Sequence, residues 1–330
     1  MIAPKKLILH NQLPSTLIFL NDWDFITITG FDITQYLQNQ FTADITSLEK
    51  NKYLFTAHCN PKGKIHSTLH LFHYKKGFAY VLRKSVAKQQ IDELKKYAVF
   101  SKITIQQEPD IILLGIVGEN AKKKLENIFP QLPNQKQSVI SFEETVILYF
   151  HLPIERFLIA TNKTTAHKLT KNFKRHSNSQ KWLALNIAAG IANIDIENTQ
   201  KFIPQSANLD IFPDSISFKK GCYLGQEMIA LTKYRGSNKH RMFFLQGHAN
   251  TTPKIGEGVE WQYHNNWRHV GKILAAAKLN NNTINIQIIM NHQIPQDSIF
   301  RLKTEENSQL KIYPLPYSLN NTLKIEKSFL

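Results

Sequence analysis

Two patterns predict an α+β protein built in two parts. Through residue 236, apolar runs at strand spacing alternate with apolar stripes at helical spacing. From residue 237 onward only short alternating runs remain, separated by turns and with no convincing helix between them. A chain of 330 residues also exceeds the size at which one core suffices, so two or three packed units are expected.

In the first part, residues 17–20 and 25–29 read as strands around a hairpin-like turn at Asn21-Asp22-Trp23-Asp24. Residues 33–40 have helical spacing, with Asp32 as the cap. Strands follow at 53–58, 64–74 and 78–82, the first two joined at Pro61-Lys62-Gly63, where proline and glycine favour a turn. Ser85 opens a helix to about Tyr97, ahead of strands at 103–106 and 111–117. A helix at 120–128, strands at 146–150 and 156–161 and a helix at 165–173 come next. Ser179 then caps an apolar helix through Trp182, Leu183, Leu185 and Ile187 to Gly190. In the second part, runs at 242–246, 258–263, 270–276, 283–289 and 299–302 have the length of strands in a small antiparallel barrel or sandwich.

Composition narrows the function classes. Lys and Arg number 41 against 25 Asp and Glu, a formal charge of +16. That excess invites a polyanionic partner: nucleic acid, an acidic protein or a carboxylate-rich ligand. The lysines are dispersed, however, as at Lys95-Lys96 and Lys122-Lys123-Lys124, and no recognisable nucleic-acid module accompanies them. Direct nucleic-acid contact is therefore the weaker expectation. Cys59 and Cys222, the two cysteines, form no CxxC or Cys/His cluster, so no resident metal site is expected. So few thiols suit a reducing compartment. Apolar runs stop at strand length, short of a membrane span. Leu7-Ile8-Leu9 is interrupted at once by His10-Asn11-Gln12, unlike a signal-peptide core. A cytoplasmic protein is expected.

The segment with the most chemistry is Lys219-Lys220-Gly221-Cys222-Tyr223-Leu224-Gly225-Gln226-Glu227. It sets a cysteine between lysines and the start of a helix, where cations and helix-end amides favour thiolate over thiol. The plainer alternative is a small core cysteine. Trp23 stands in a turn between two aspartates, an odd place for a large indole unless something covers it. Trp182 lies near the start of an apolar helix, where a core role is the default; indole faces also suit flat heteroaromatic ligands. Gln205 and Asn208, on a proline-stiffened loop, have amides that can read a heterocycle's edge or cap neighbouring backbone. No glycine-rich phosphate loop occurs.

Lys220-Gly221-Cys222-Tyr223-Leu224-Gly225-Gln226-Glu227 closely resembles the K-G-C-Y-x-G-Q-E signature of the YgfZ family, folate-binding proteins that support iron–sulfur enzymes. Other stretches fit the same family in order: Gly30 with Tyr36-Leu37-Gln38, Gln40 and Thr42-Ala43-Asp44; Ala57-His58-Cys59 with Lys62-Gly63-Lys64; Trp182 to Ile187 with Gly190; Phe202 to Gln205 with Asn208-Leu209. Asn291, Pro295 to Phe300 and Pro314 to Ser318 extend the likeness to the C-terminal end. Departures are Leu231 for a usual arginine, Asn39 for a common glycine and Ala192 for a common proline. The resemblance implies a fold like the T-protein, the aminomethyltransferase of glycine cleavage: two α+β subdomains (residues 1–236) and a C-terminal antiparallel β-barrel (237–330), arranged as a ring around a folate site. No stretch matches the catalytic carboxylate region of that enzyme.

By the same resemblance, Cys222 is the reactive thiol, with Lys220, Gln226 and Glu227 around it. Trp23 and Trp182 contact tetrahydrofolate, with Gln205, Asn208, Tyr223 and Arg235 as further candidate contacts. The implied function is a folate-binding factor that maintains or rebuilds iron–sulfur clusters in client enzymes, including a radical-SAM tRNA methylthiotransferase, and so serves tRNA modification. The rivals are a folate-dependent one-carbon transferase, a direct tRNA-binding module and a thiol redox pair of Cys59 with Cys222.

Overall fold

A computed structural model describes residues 13–236, 238–279 and 282–319, so the interrupted apolar run Leu7-Ile8-Leu9 lies outside the described residues. Its elements run β1 (Thr16–Phe19), β2 (Trp23–Gly30), α1 (Ile33–Gln40), β3 (Tyr53–Cys59), β4 (Ile65–Tyr74), β5 (Gly77–Arg83), α2 (Lys84–Tyr97) and β6 (Ile103–Gln107). Next come β7 (Ile112–Val117), α3 (Ala121–Glu126), β8 (Val139–Phe142), β9 (Thr145–Phe150), β10 (Arg156–Thr161), α4 (Lys163–Asn172), β11 (Arg175–Ser177), α5 (Ser179–Ala188) and α6 (Gln226–Tyr234). The last six strands are β12 (His240–His248), β13 (Gly258–Tyr263), β14 (Asn266–Lys278), β15 (Thr283–Asn291), β16 (Ile299–Leu302) and β17 (Glu305–Tyr313).

The strands make three sheets. One has the order β3-β4-β5-β2-β6 and another β11-β1-β7-β10-β9-β8. The third closes on itself as the barrel β12-β15-β14-β13-β16-β17, antiparallel throughout. Alternation explains the layering, since successive side chains in a strand point to opposite faces. On the five-stranded sheet, Ile26, Ile28, Leu69, Leu71 and Tyr80 face α1 and α2 in one core. Leu114, Ile116, Ile147, Phe157 and Ile159 of the six-stranded sheet pack with Leu125 of α3 and Leu169 of α4 in another. The opposite faces of both sheets share a third core with α5 and with barrel residues such as Leu274 and Ile289. A fourth fills the barrel. α5 is buried all round from Trp182 to Ala188, the mark of a helix enclosed by its neighbours.

The expected hairpin at residues 17–29 does not form. β1 pairs with β7 and β11, whereas β2 pairs with β5 and β6, so the turn at Asn21-Asp22 carries the chain from one sheet to the other. Ser85 does not cap α2; its hydroxyl bonds Asp195, and the helix begins at Lys84. Asn178, not Ser179, caps α5, its side chain accepting from Gln180 N–H at 3.2 Å. Asp32 stands at the start of α1 without capping it and accepts instead from the Lys102 amide at 2.8 Å. Among the described residues no helix is long and apolar enough to cross a membrane.

Candidate functional site

Three of the segments singled out by sequence meet at the start of α6. The Leu224 amide donates to the Asn39 carbonyl at 3.0 Å, tying the cysteine segment to the end of α1. Gly225 opens α6 at φ +81°, a left-handed conformation, and a Cβ there would lie 2.5 Å from the Asn60 carbonyl oxygen. Only glycine satisfies both the dihedral and the close approach. A Cβ on Gly63, at the turn after Cys59, would lie 3.0 Å from Met228 Cβ. The Pro61–Gly63 turn thus seats against the helix that follows Cys222.

Within this knot the two lysines part company. Lys219 is exposed, whereas Lys220 is buried. Its ammonium donates to the carbonyls of Gln38, Phe41 and Ala43 at 2.7, 2.5 and 2.6 Å. Three donors meet three acceptors, one of them in the last turn of α1, where a helix end favours a cation. Burial pulls Lys220 down to about 7, with the Asp44 carboxylate pulling the other way. The role expected of Lys220, a cation serving the thiol, gives way in this arrangement to anchoring the segment. Tyr223 packs beneath it, buried, with the ammonium 4.6 Å from its ring centroid and its hydroxyl unpartnered. Burial first, then nearby Cys59, raises that phenol's pKa.

Cys222 itself is free and exposed, a short turn ahead of α6. Gln226 bonds back to the Lys220 carbonyl at 3.3 Å, and Glu227 and Arg235 stand exposed at the two ends of α6. Cys59 is wholly buried, and burial drives its thiol pKa far up, so it is an inert core thiol and no redox mate for Cys222. Among the described residues no three His, Cys, Asp or Glu side chains gather as a metal site.

The tryptophans lie elsewhere, in the core shared by the two sheets. Ser179 brings their elements together: its hydroxyl accepts from the Asp22 amide at 3.2 Å and donates to the Phe19 carbonyl at 3.0 Å. Each indole carries a guanidinium on its ring. Arg83, the cross-strand partner of Trp23, stacks 4.5 Å from its centroid; Arg156 lies 4.3 Å from that of Trp182. Trp23 keeps 7% of its surface exposed and Trp182 1%. Gly115 of β7 leaves room for the second indole, since a Cβ there would fall 2.6 Å from Trp182 Cε3.

Gln205 and Asn208 are committed to the frame. Gln205 Nε2 donates to the Ile229 carbonyl at 2.7 Å, bracing α6. Asn208 exchanges two bonds with the Met242 backbone, at 2.7 and 3.2 Å, bracing β12. A groove of about 640 Å³ opens nearby between α6, β12 and the segment after β17, lined by Lys233, Arg241 and Tyr317. Neither tryptophan lines it, nor does Cys222. Sequence reasoning overlooked Arg83, Arg156 and Asp195. Arg83 and Arg156 look there like ordinary strand-end cations, and Asp195 like a loop carboxylate; their burial depends on partners distant along the chain, Asp195 for Arg83 and Val117 and Trp182 for Arg156.

Known proteins resemble this chain in sequence and in fold. A family model described as the YgfZ β-barrel domain matches residues 238–306. Over its length the chain is 48% identical to the tRNA-modifying protein YgfZ of Photorhabdus laumondii, covering 94% of each. It is 45% identical to the protein of that name from Yersinia enterocolitica, covering 96% of this chain and 97% of the other. Among solved structures, the glycine cleavage system aminomethyltransferase T of Bartonella henselae matches with a TM-score of 0.74 over 94% of this chain and 88% of that one. At 14% identity that likeness concerns the fold, which is therefore aminomethyltransferase T-like, with a closed antiparallel barrel at its C-terminal end. With near-complete coverage at almost half identity, this chain belongs to the YgfZ family.

Proposed function

We propose that this protein is a cytoplasmic tetrahydrofolate-binding factor that supports assembly or repair of iron–sulfur clusters in client enzymes, a tRNA methylthiotransferase among them. Its part in tRNA modification follows the names its relatives carry. The observation that carries the reading is one continuous apolar core that holds both Trp23 and Trp182 and reaches Tyr223, the neighbour of exposed Cys222. A ligand at the indoles and a thiol open to a partner protein are thereby joined through packed side chains.

The residues present suit a tetrahydropterin. Indoles offer flat apolar faces, and Arg83 leaves Nη1 buried and without a partner beside Trp23, a donor for a ring acceptor. Bound folate would supply a carrier for one-carbon units; the chain's own side chains bind and orient it. Cys222 would meet the client, since a lone thiol lacks the ligands to hold a cluster within one chain. Quenching of tryptophan fluorescence by tetrahydrofolate tests the pocket. The signal is expected in the wild type and lost in Trp23→Phe/Trp182→Phe, which keeps Trp261 and Trp267 on the barrel. Wild-type quenching that persists in the double variant would sink the site. In cells, cluster content of the methylthiotransferase is expected to fall alike with Cys222→Ala and with loss of the protein.

A further inference from the structure

We propose that Arg156 is the polar reader of the folate site, its guanidinium donating to the 4-oxo edge of the pterin ring. The assignment rests on the tetrahydrofolate reading above and adds the group that recognises the heterocycle.

Arg156 is the first residue of β10, paired with Phe150 and Val117, and none of its surface is exposed. Its Nε donates to the Leu152 carbonyl at 3.1 Å. Nη1 and Nη2 have no partner, and among the described residues no carboxylate pairs with it. Arginine stays protonated even where burial lowers its pKa, so these are charged donors with nothing to accept from them. An unpaired buried charge weakens a fold; apolar residues of similar volume in its place are often neutral or stabilising. Folding therefore does not explain this guanidinium, whereas a bound acceptor does.

The surroundings say what kind of acceptor. The guanidinium lies over Trp182 and 5.2 Å from the Phe150 centroid. Phe150 meets Trp182 edge-on at 5.8 Å and His70 at 5.1 Å; His70 in turn stacks on Phe55 and meets the edge of Tyr53. His70 and Tyr53 are only half-buried, so the aromatic cluster has an open side. A small anion would leave the aromatic walls uncovered, and a plain apolar ring would leave the guanidinium unpaired. A flat heterocycle with a carbonyl edge answers both.

Purified full-length protein is titrated with tetrahydrofolate and with a 4-amino pteridine analogue, reading tryptophan fluorescence alongside thermal melting. Arg156→Met is expected to weaken tetrahydrofolate binding about tenfold or more while its Tm holds or rises. Its preference for the 4-oxo over the 4-amino ring should collapse, a change that a merely structural role would not produce. Arg156→Lys, which keeps a cation but loses the fork, should fall between. Wild-type affinity and ring preference retained in either variant overturn the assignment alone. No quenching in the wild type overturns the folate reading, and this assignment with it.

Discussion

Trp23 and Trp182 present the same motif twice, an indole with a guanidinium on its ring, yet the two charges are answered differently. Arg83 beside Trp23 has Asp195, whose oxygens lie 3.0 and 3.1 Å from Nε and which also accepts from Ser85. Arg156 beside Trp182 has a single carbonyl. Lys220, a third buried cation, stands between them, with three carbonyls and no ion pair. A buried charge with a full set of partners organises the chain around it; one without partners points outward to a ligand. On this view Lys220 belongs to the scaffold and Arg156 to binding, while Arg83 stands between, its Nε held by Asp195 and its Nη1 left without a partner beside Trp23.

Removing the answering group at Arg83 should produce the largest effect. Asp195→Asn would make Arg83 resemble Arg156 in a site not built for it, since the Asp195 side chain is only 3% exposed and that of Arg83 11%. Loss of one partner of a buried pair costs about 3–5 kcal/mol. Urea denaturation should show that loss, and a change under about 1 kcal/mol would erase the distinction between the two arginines.

Lys220→Met comes next, with a loss of about 2–3 kcal/mol, because three carbonyls lose a charged donor while the desolvation penalty of the ammonium is relieved. Its pH dependence separates it from Asp195→Asn. The native side chain releases its proton from about 7, and the unfolded chain holds it to the ordinary 10.5. Between those values the unfolded state binds more protons, so this group's contribution rises with pH. The stability gap between wild type and Lys220→Met should therefore widen from pH 7 toward pH 10 in urea titrations. A flat gap would mean that the three carbonyls hold the proton in place.

The sequence showed most of the strands but little of what the buried cations do. The bounds of α1, β10, β13 and β16 follow from local alternation and spacing, and the structure keeps them. The turn at Asn21-Asp22 misled because its composition is the same whether the flanking strands pair or separate; the partners, Leu114 for Phe19 and Arg83 for Trp23, lie about 60 residues or more along the chain. β8 and β17 went unread because their exposed faces carry polar residues that dilute the apolar signal, as at Ser141 and Glu306. The resemblance to a known family pointed to Trp23, Trp182 and Cys222 as candidates, but not to Lys220 facing α1. Nothing local to Arg156 distinguishes it from a surface arginine, since its burial is a property of the assembled sheets.

Gly115→Ala gives the smallest of the three stability effects and the finest test of the comparison. The residue lies on β7 opposite Leu158 and Ile18, and its missing side chain is where the six-membered ring of Trp182 sits. The new methyl would meet Cε3 at 2.6 Å and Cζ3 at 2.9 Å. Wholly buried indole has little space to retreat, and overpacking of this kind costs about 1–3 kcal/mol. Any displacement of the ring changes its stack with the Arg156 guanidinium, 4.3 Å from its centroid, so the stack itself should loosen. Trp182 emission is then expected to shift, and tetrahydrofolate affinity to fall with it. The control is Ile116→Val, on the other face of that strand, which trims the core against α3 and α4 without touching the indole. Equal effects of the two substitutions on folate binding would show that Trp182 and Arg156 act as packing alone, and the contrast with Trp23 and Arg83 would lose its functional meaning.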